Sequence, residues 1–227
     1  VSAAATAADL MAAERAARRD LFATHRKAYR RAERVDPQDP DDVADFAADV
    51  AREMARNARD ASERALRSGV EAADRDAKAA IGGAVLGFLA VARMSSREQA
   101  AIDAFADRRA SAIRSSFANA IAEKTVIHGD VQVAVGLLKS RADTIAISET
   151  AMGITHGYAL EAKAIAEGVG ARPSWLVLEW VAELDRRTCS VCSGLSGSTC
   201  PVGGDFDGYM PGFVHARCRC FLVMRRA

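Results

Sequence analysis

Residues 175–224 read WLVLEWVAELDRRTCSVCSGLSGSTCPVGGDFDGYMPGFVHARCRCFLVM, and the two ends of this stretch set the architecture of the C-terminus. Leu176, Leu178 and Trp180 alternate with Val177, Glu179 and Val181, the period of two expected of a strand with one buried face. The FLVM run at 221–224 is its natural antiparallel partner. Between them lie a CxxC turn at Cys189 and Cys192, then 22 residues, then HxxCxC from His215 to Cys220. All five cysteines fall in the last 39 residues and none in the 188 before, so the chemistry is concentrated at this end.

A CxxC turn aims two sulfurs at one point, and an HxxC element supplies a nitrogen and a third sulfur from across a loop. That is the tetrahedral donor set zinc prefers. The candidate ligands are Cys189, Cys192, His215, Cys218 and Cys220. If the chain is extended after Cys218, then Cys218 and Cys220 share a strand face, and the sequence leaves open which of them completes the set. Cys200 stands alone in a glycine-rich loop and reads as a bystander. Disulfides are the competing account, but they need an oxidising compartment, no secretory signal is visible, and five cysteines leave one over. Free or catalytic thiols are the remaining alternative. From Gly194 to Gly212 the chain holds six glycines and two prolines, too turn-rich for a helix and too broken for a long strand. A metal at its base would fix both ends against chain entropy.

The run from Trp180 through Asp185, Arg187, Thr188, Cys189 and Cys192, the Leu195 and Gly197 turn, Pro211, and the ending His215, Cys218, Arg219, Cys220 resembles the C-terminal domain of phage Mu F-like minor head proteins, the phage head morphogenesis family. Upstream, Ser148, Glu149 and Thr150 resemble that family's helical Ser/Thr-Glu-Thr signature. The likeness covers about residues 142–223. It departs at Ala216, where the family has proline, and Cys200 is no part of the pattern. The resemblance implies a structural virion protein rather than an enzyme: a minor capsid component acting in head morphogenesis. It would be present in multiple copies near the portal vertex, touching portal protein and other head proteins, with contact to packaged or ejected DNA as a further expectation. The implied location is the phage head, reached from the host cytoplasm during assembly, with no membrane association.

The chain has 227 residues, half of them apolar, with only 6% aromatic. That is enough apolar material for a core, and its dominance by alanine, the strongest helix former with little area to bury, predicts long, slender helices in narrow contact. It opens on Val1 rather than Met, which reads as a trimmed or non-Met start. Helices are expected over 1–36, about 40–68, 70–93, 96–125 and 130–167. Asp39 before Pro40, with Asp41 and Asp42 following, is a helix start. Gly69 reads as an end or interruption of the second helix, Ser95 with Glu98 as a capping box, and Gly129–Asp130 as a break. The apolar run at 79–92 is 14 residues long, too short to span a bilayer, and reads as a buried helix. The expected fold is therefore mainly α: an Ala-rich long-helix body over 1–141, and a small α+β zinc-stapled module over 142–227. Trp175 and Trp180 both read as core.

Charge adds a weaker clue. Residues 1–36 and 185–227 each carry a net +3 and the middle −5. Arg18, Arg19, Arg26, Lys27, Arg30, Arg31 and Arg34 are a possible match for phosphates or an acidic protein surface; interspersed acids and the lack of aromatic interleaving make a solvated helix face or a protein-docking helix equally good readings. Of the histidines, His25 and His128 read as surface or packed helix residues, and His156 shares a face with Glu149 seven residues before it. A rival function is a zinc-dependent hydrolase or toxin-like domain delivered with the DNA, with Asp185, Asp205 or Asp207 handling protons; a DNA-binding module is the third. Asp185 more simply orients the CxxC turn or pairs with Arg187.

Overall fold

The computed structural model describes residues 3–81, 96–168, 175–183 and 187–227. In chain order the elements are helices α1 (Ala3–Ala32), α2 (Pro40–Ile81), α3 (Ser96–His128), α4 (Val131–Leu137) and α5 (Lys139–Gly168), strand β1 (Leu176–Val181), the short helix α6 (Ser190–Leu195), and strands β2 (Thr199–Pro201) and β3 (Phe221–Arg226). The protein is mainly helical, with a small three-stranded antiparallel sheet at its C-terminus.

Buried positions on α2 recur at three- and four-residue steps, Val43, Phe46, Ala47, Val50, Ala51, Met54, Ala58 and Ala61, and this stripe packs with Leu21 and Ala28 of α1 and Phe117 and Ile121 of α3. The spacing is that of one helix face. The start of α2 follows the expectation: Asp39 Oδ1 accepts from the backbone N–H of Asp41 at 2.9 Å and of Asp42 at 3.2 Å, satisfying two of the otherwise unpaired first-turn donors. Gly129, at φ 63°, ends α3 with its N–H on the Thr125 carbonyl.

The first helix ends at Ala32 rather than 36 and α3 runs on to His128, and two further differences from the expectation are larger. Gly69 does not stop the second helix, which runs unbroken to Ile81. The glycine serves helix contact instead: a Cβ at position 69 would stand 2.1 Å from the Ile154 carbonyl oxygen, and one at Gly157 2.0 Å from that of Leu66. Backbones of α2 and α5 therefore touch directly, which only residues without side chains permit. The helix expected over 130–167 is instead two, α4 and α5, joined at Leu138. There the Val135 carbonyl accepts from His25 Nε2 at 2.8 Å and from the Leu138 N–H at 3.0 Å, which draws it away from the regular helical ladder. Part of the expected 70–93 helix, including most of the apolar run at 79–92, and the Ser95–Glu98 box lie outside the described residues. No described helix is long and apolar enough to cross a membrane.

The sheet has the order β2-β1-β3. β1 pairs with β3 as expected, Leu178 opposite Met224 and Trp180 opposite Leu222, and its burial alternates residue by residue. Trp180 is fully buried and meets the Phe206 ring edge-on at 5.3 Å. Trp175 departs from the core reading: it is 38% exposed, under the Arg226 guanidinium, because the alternation of β1 puts it on the outer face with Val177 and Glu179. One sheet face packs on Ala72, Ala73 and Ala77 of α2 and on Tyr158, Ala162 and Ala166 of α5. At this seam the Tyr158 hydroxyl donates to Asp76 Oδ2 at 2.6 Å and accepts from the Met224 N–H. Helix α5 is thus shared, its first half in the helical core and its second half under the sheet. The position 141/142 falls in its first turn.

Candidate metal centre

The CxxC turn forms because Cys189 caps α6. Its backbone is extended, at φ −77° and ψ 164°, and its sulfur accepts from the Cys192 N–H at 3.4 Å. This places Cys192 one turn into the helix and buried, facing the chain that returns through HxxCxC. On that side the Cys218 N–H reaches the His215 carbonyl at 3.3 Å, a tight turn that Arg217 completes at φ 64°. Gly212, at φ 81°, lets the same loop lie against the α5 backbone, where a Cβ would be 2.9 Å from the Ala151 carbonyl carbon.

All five expected ligands meet. Cys189, Cys192 and His215 form one group and Cys192, Cys218 and Cys220 another, with the donor atoms of each group within 4.8 Å of one another. Cys192 belongs to both. Its sulfur lies 3.8 Å from that of Cys218 and 3.5 Å from His215 Nε2. A tetrahedral centre with metal–sulfur bonds of about 2.3 Å and metal–nitrogen bonds of about 2.0 to 2.1 Å has sulfur–sulfur edges of about 3.8 Å and sulfur–nitrogen edges of about 3.6 Å. The donor set fits a metal ion. The His215 Nδ1–H points to the Ala216 carbonyl at 2.8 Å, which commits the other nitrogen, Nε2, to act as the lone-pair donor facing Cys192.

Without an ion the donor atoms share their protons unevenly. The Cys220 thiol, with backbone groups of Cys220 and Gly212, hydrogen-bonds the Cys218 sulfur and draws its pKa down to about 5. Burial pushes Cys192 up to about 12, and the hydrogen bond given to Cys218 holds Cys220 far above the ordinary thiol range. Burial opposes ionisation of Cys189 too, but the backbone N–H of Cys192 and the nearby His215 hold it below its usual value. The Ala216 carbonyl raises the His215 pKa, so the proton on Nε2 must leave for that nitrogen to act as a ligand. Sulfurs this close cannot all carry charge alone; a divalent ion removes that repulsion and displaces their protons.

Cys200 is outside both groups. It lies on β2 opposite Leu178, buried in the sheet core, and burial raises its thiol to about 11. Asp185 lies outside the described residues, and Asp205 accepts from the Gly208 N–H in its own turn at 2.9 Å.

Several contacts that pattern-reading missed hold the HxxCxC segment. The Ser148 hydroxyl accepts from the Arg217 N–H at 3.0 Å. Arg219 grips Glu14 through two hydrogen bonds of 3.1 Å, and Arg217 pairs with Asp143, which also takes Arg18 at 2.7 Å. The alternation of arginine with cysteine over 217–220 was the available signal; Glu14, 205 residues from its partner, offered none. Glu149, almost fully buried, binds Arg109 with Nη2–Oε1 at 2.6 Å and accepts from Ser62 at 3.1 Å. It is not turned to His156, which instead stacks on Phe105 at 4.7 Å. A cleft of about 390 Å³ opens beside the cluster, with Glu183, Thr188, Cys189, His215 and Arg217 among its walls.

Compared with family models, with curated proteins and with solved structures, the chain gave no match.

Proposed function

We propose that this chain is a minor structural protein of a tailed-phage head, acting in head morphogenesis near the portal vertex, with its C-terminal module closed by a structural zinc ion. The observation that carries the reading is the meeting of two motifs far apart in sequence: the Ser148 hydroxyl on α5 holds the backbone of Arg217 inside the His-x-x-Cys-Arg-Cys ending. The Ser-Glu-Thr helix and the cysteine–histidine ending that resemble the Mu F-like family therefore work as one unit. Zinc is favoured because three buried cysteines, with the half-buried Cys189 and His215, at tetrahedral edge lengths suit a metal that needs no redox chemistry. With five donors for four positions, the site closes without an open position for water, as a structural centre does. The ion would stiffen a module whose own apolar core is small.

The rival reading, a zinc-dependent hydrolase, is favoured by the cleft beside Cys189 and His215, with Glu183 on its wall. A DNA-binding module is less well supported, since Arg18, Lys27 and Arg31 are engaged by carboxylates within the fold.

Two measurements test the proposal. Elemental analysis should find one zinc per chain, and X-ray absorption should show four sulfur or nitrogen neighbours and no exchangeable oxygen; a bound water at the metal would favour the hydrolase. Mass spectrometry of purified particles and procapsids of the encoding phage should find the chain in the head, and absence from both would refute the virion role.

A further inference from the structure

The cations of α1 separate into two groups. Arg18 pairs with Glu14 and Asp143, Lys27 with Glu53, and Arg31 with Asp49. Arg26 and Arg30 are exposed and make no ion pair among the described residues. With Phe22 and Tyr29 they fall at i, i+4, i+7 and i+8, one face of the helix. That face forms one wall of a cleft of about 750 Å³, closed on the other side by Gly136 and Lys139 at the α4–α5 junction. Lys139 is also exposed and unpaired among the described residues. No acidic side chain lines the cleft.

The cleft is built into the fold. At its floor the buried His25 donates from Nε2 to the Val135 carbonyl at 2.8 Å, tying α4 to α1. The Tyr29 ring lies over Gly136, where a Cβ would come 3.3 Å from Cε2, so the missing side chain leaves room for the ring. On α4, Val133 and Leu137 share a face with Gly136 at i, i+3 and i+4, and they are 44% and 49% exposed. Exposed aliphatic groups beside three uncommitted cations and a half-exposed ring form a surface with two complementary needs, apolar contact and negative charge.

We propose that this α1–α4 cleft is a docking site for an acidic amphipathic helix of a partner protein. The carboxylates of such a segment would meet Arg26, Arg30 and Lys139, and its apolar face would cover Tyr29, Val133 and Leu137. A single-stranded nucleic acid is the poorer match: it rewards successive stacking platforms, and here one exposed ring stands among aliphatic groups that bases do not need. The inference does not depend on the metal centre, which lies on other elements.

The test uses the full chain and fluorescence anisotropy with three labelled probes: an amphipathic peptide of roughly 18 residues made of Glu, Leu and Ala, its Gln-for-Glu counterpart, and an oligothymidylate of similar length. The acidic peptide should bind saturably, and the Gln peptide about tenfold more weakly or worse. The R26E/R30E variant should lose binding by a similar factor, whereas Arg114→Glu, outside the cleft, should not. Tyr29→Ala should weaken binding about fivefold and serves as the second variant if the double reversal disturbs folding, which circular dichroism reads. No binding, equal binding of the Gln peptide, or oligothymidylate binding that R26E/R30E abolishes while peptide binding persists would each overturn the proposal, the last in favour of a nucleic-acid surface.

Discussion

The Ser148 hydroxyl accepts a hydrogen bond from the Arg217 N–H at 3.0 Å, across 69 residues of chain. Arg217 sits at positive φ immediately before Cys218, a conformation that disfavours any residue but glycine. The hydroxyl therefore does more than satisfy a donor: it helps hold the loop in the bend that points Cys218 inward. Ser148→Ala should lower the melting stability by about 1 kcal/mol. It should also weaken metal retention by about tenfold, since groups that orient a ligand matter nearly as much as the ligand. Competition with a zinc chelator measures the second effect; an unchanged competition curve would show that the loop keeps its shape unaided.

Cys192 stands in both donor groups, whereas Cys200 stands in neither. Cys192→Ser should therefore abolish stoichiometric metal binding and loosen the sheet module, while Cys200→Ser keeps the metal. In both variants most of the far-UV helical signal should remain, because the alanine-rich contacts of α1, α2 and α3 do not involve the cluster. Loss of metal in Cys200→Ser, or global loss of helix in Cys192→Ser, would contradict this arrangement.

Gly157 has the Leu66 carbonyl oxygen 2.0 Å from where a Cβ would sit, while Gly194 has nothing within 4 Å. Gly157→Ala must push α2 and α5 apart and should cost about 3 kcal/mol or more, although alanine is the better helix former. Gly194→Ala, inside α6, should be neutral or slightly stabilising. Thermal melts of the two variants should move in opposite directions or differ by several degrees. Equal melts would mean that the helices do not cross so closely.

Asp76 supplies a pH dependence. Burial raises its pKa above 3.8, and the hydrogen bond from Tyr158 and the charge of Arg75 only partly offset that. The folded state therefore binds more protons than the unfolded state between 3.8 and the raised folded value. Stability falls as pH rises through that window, and the loss is complete above it. Asp76→Asn, which keeps an acceptor for Tyr158, should flatten the fall. Urea midpoints from about pH 4 to 7 should converge less steeply on the neutral value in the variant; parallel profiles would assign the pH dependence elsewhere.

The features legible in the sequence were those with a short period or a local signature. Alternation over Leu176–Trp180 located β1, Asp39–Pro40 located the start of α2, and the cysteine–histidine spacing located a cluster that the fold does assemble. What escaped was set by contact between distant segments. Gly69 looks like a stop because local propensity penalises glycine in a helix, and only the α5 backbone opposite it explains why the helix continues. At the break at Leu138 the Val135 carbonyl is taken by His25, more than a hundred residues away, a contact no local pattern announces. Strand β2 is three residues in a turn-rich loop and carries no alternation long enough to read. Trp175 misled for a related reason: its size signals burial, but it falls on the outer face of the alternation that buries Leu176, Leu178 and Trp180.

β3 (Phe221–Arg226) is the last element in sequence, and the strand supplies both a pairing edge for β1 and the Met224 N–H that Tyr158 receives. During translation the earlier helices therefore emerge with one flank uncovered, and that flank stays wet until β3 has left the ribosome. At roughly 5–20 residues per second the interval is a matter of seconds. A chain cut short after Cys220 would have its cysteines present but its seam unsealed, a species marked for capture by chaperones or proteases.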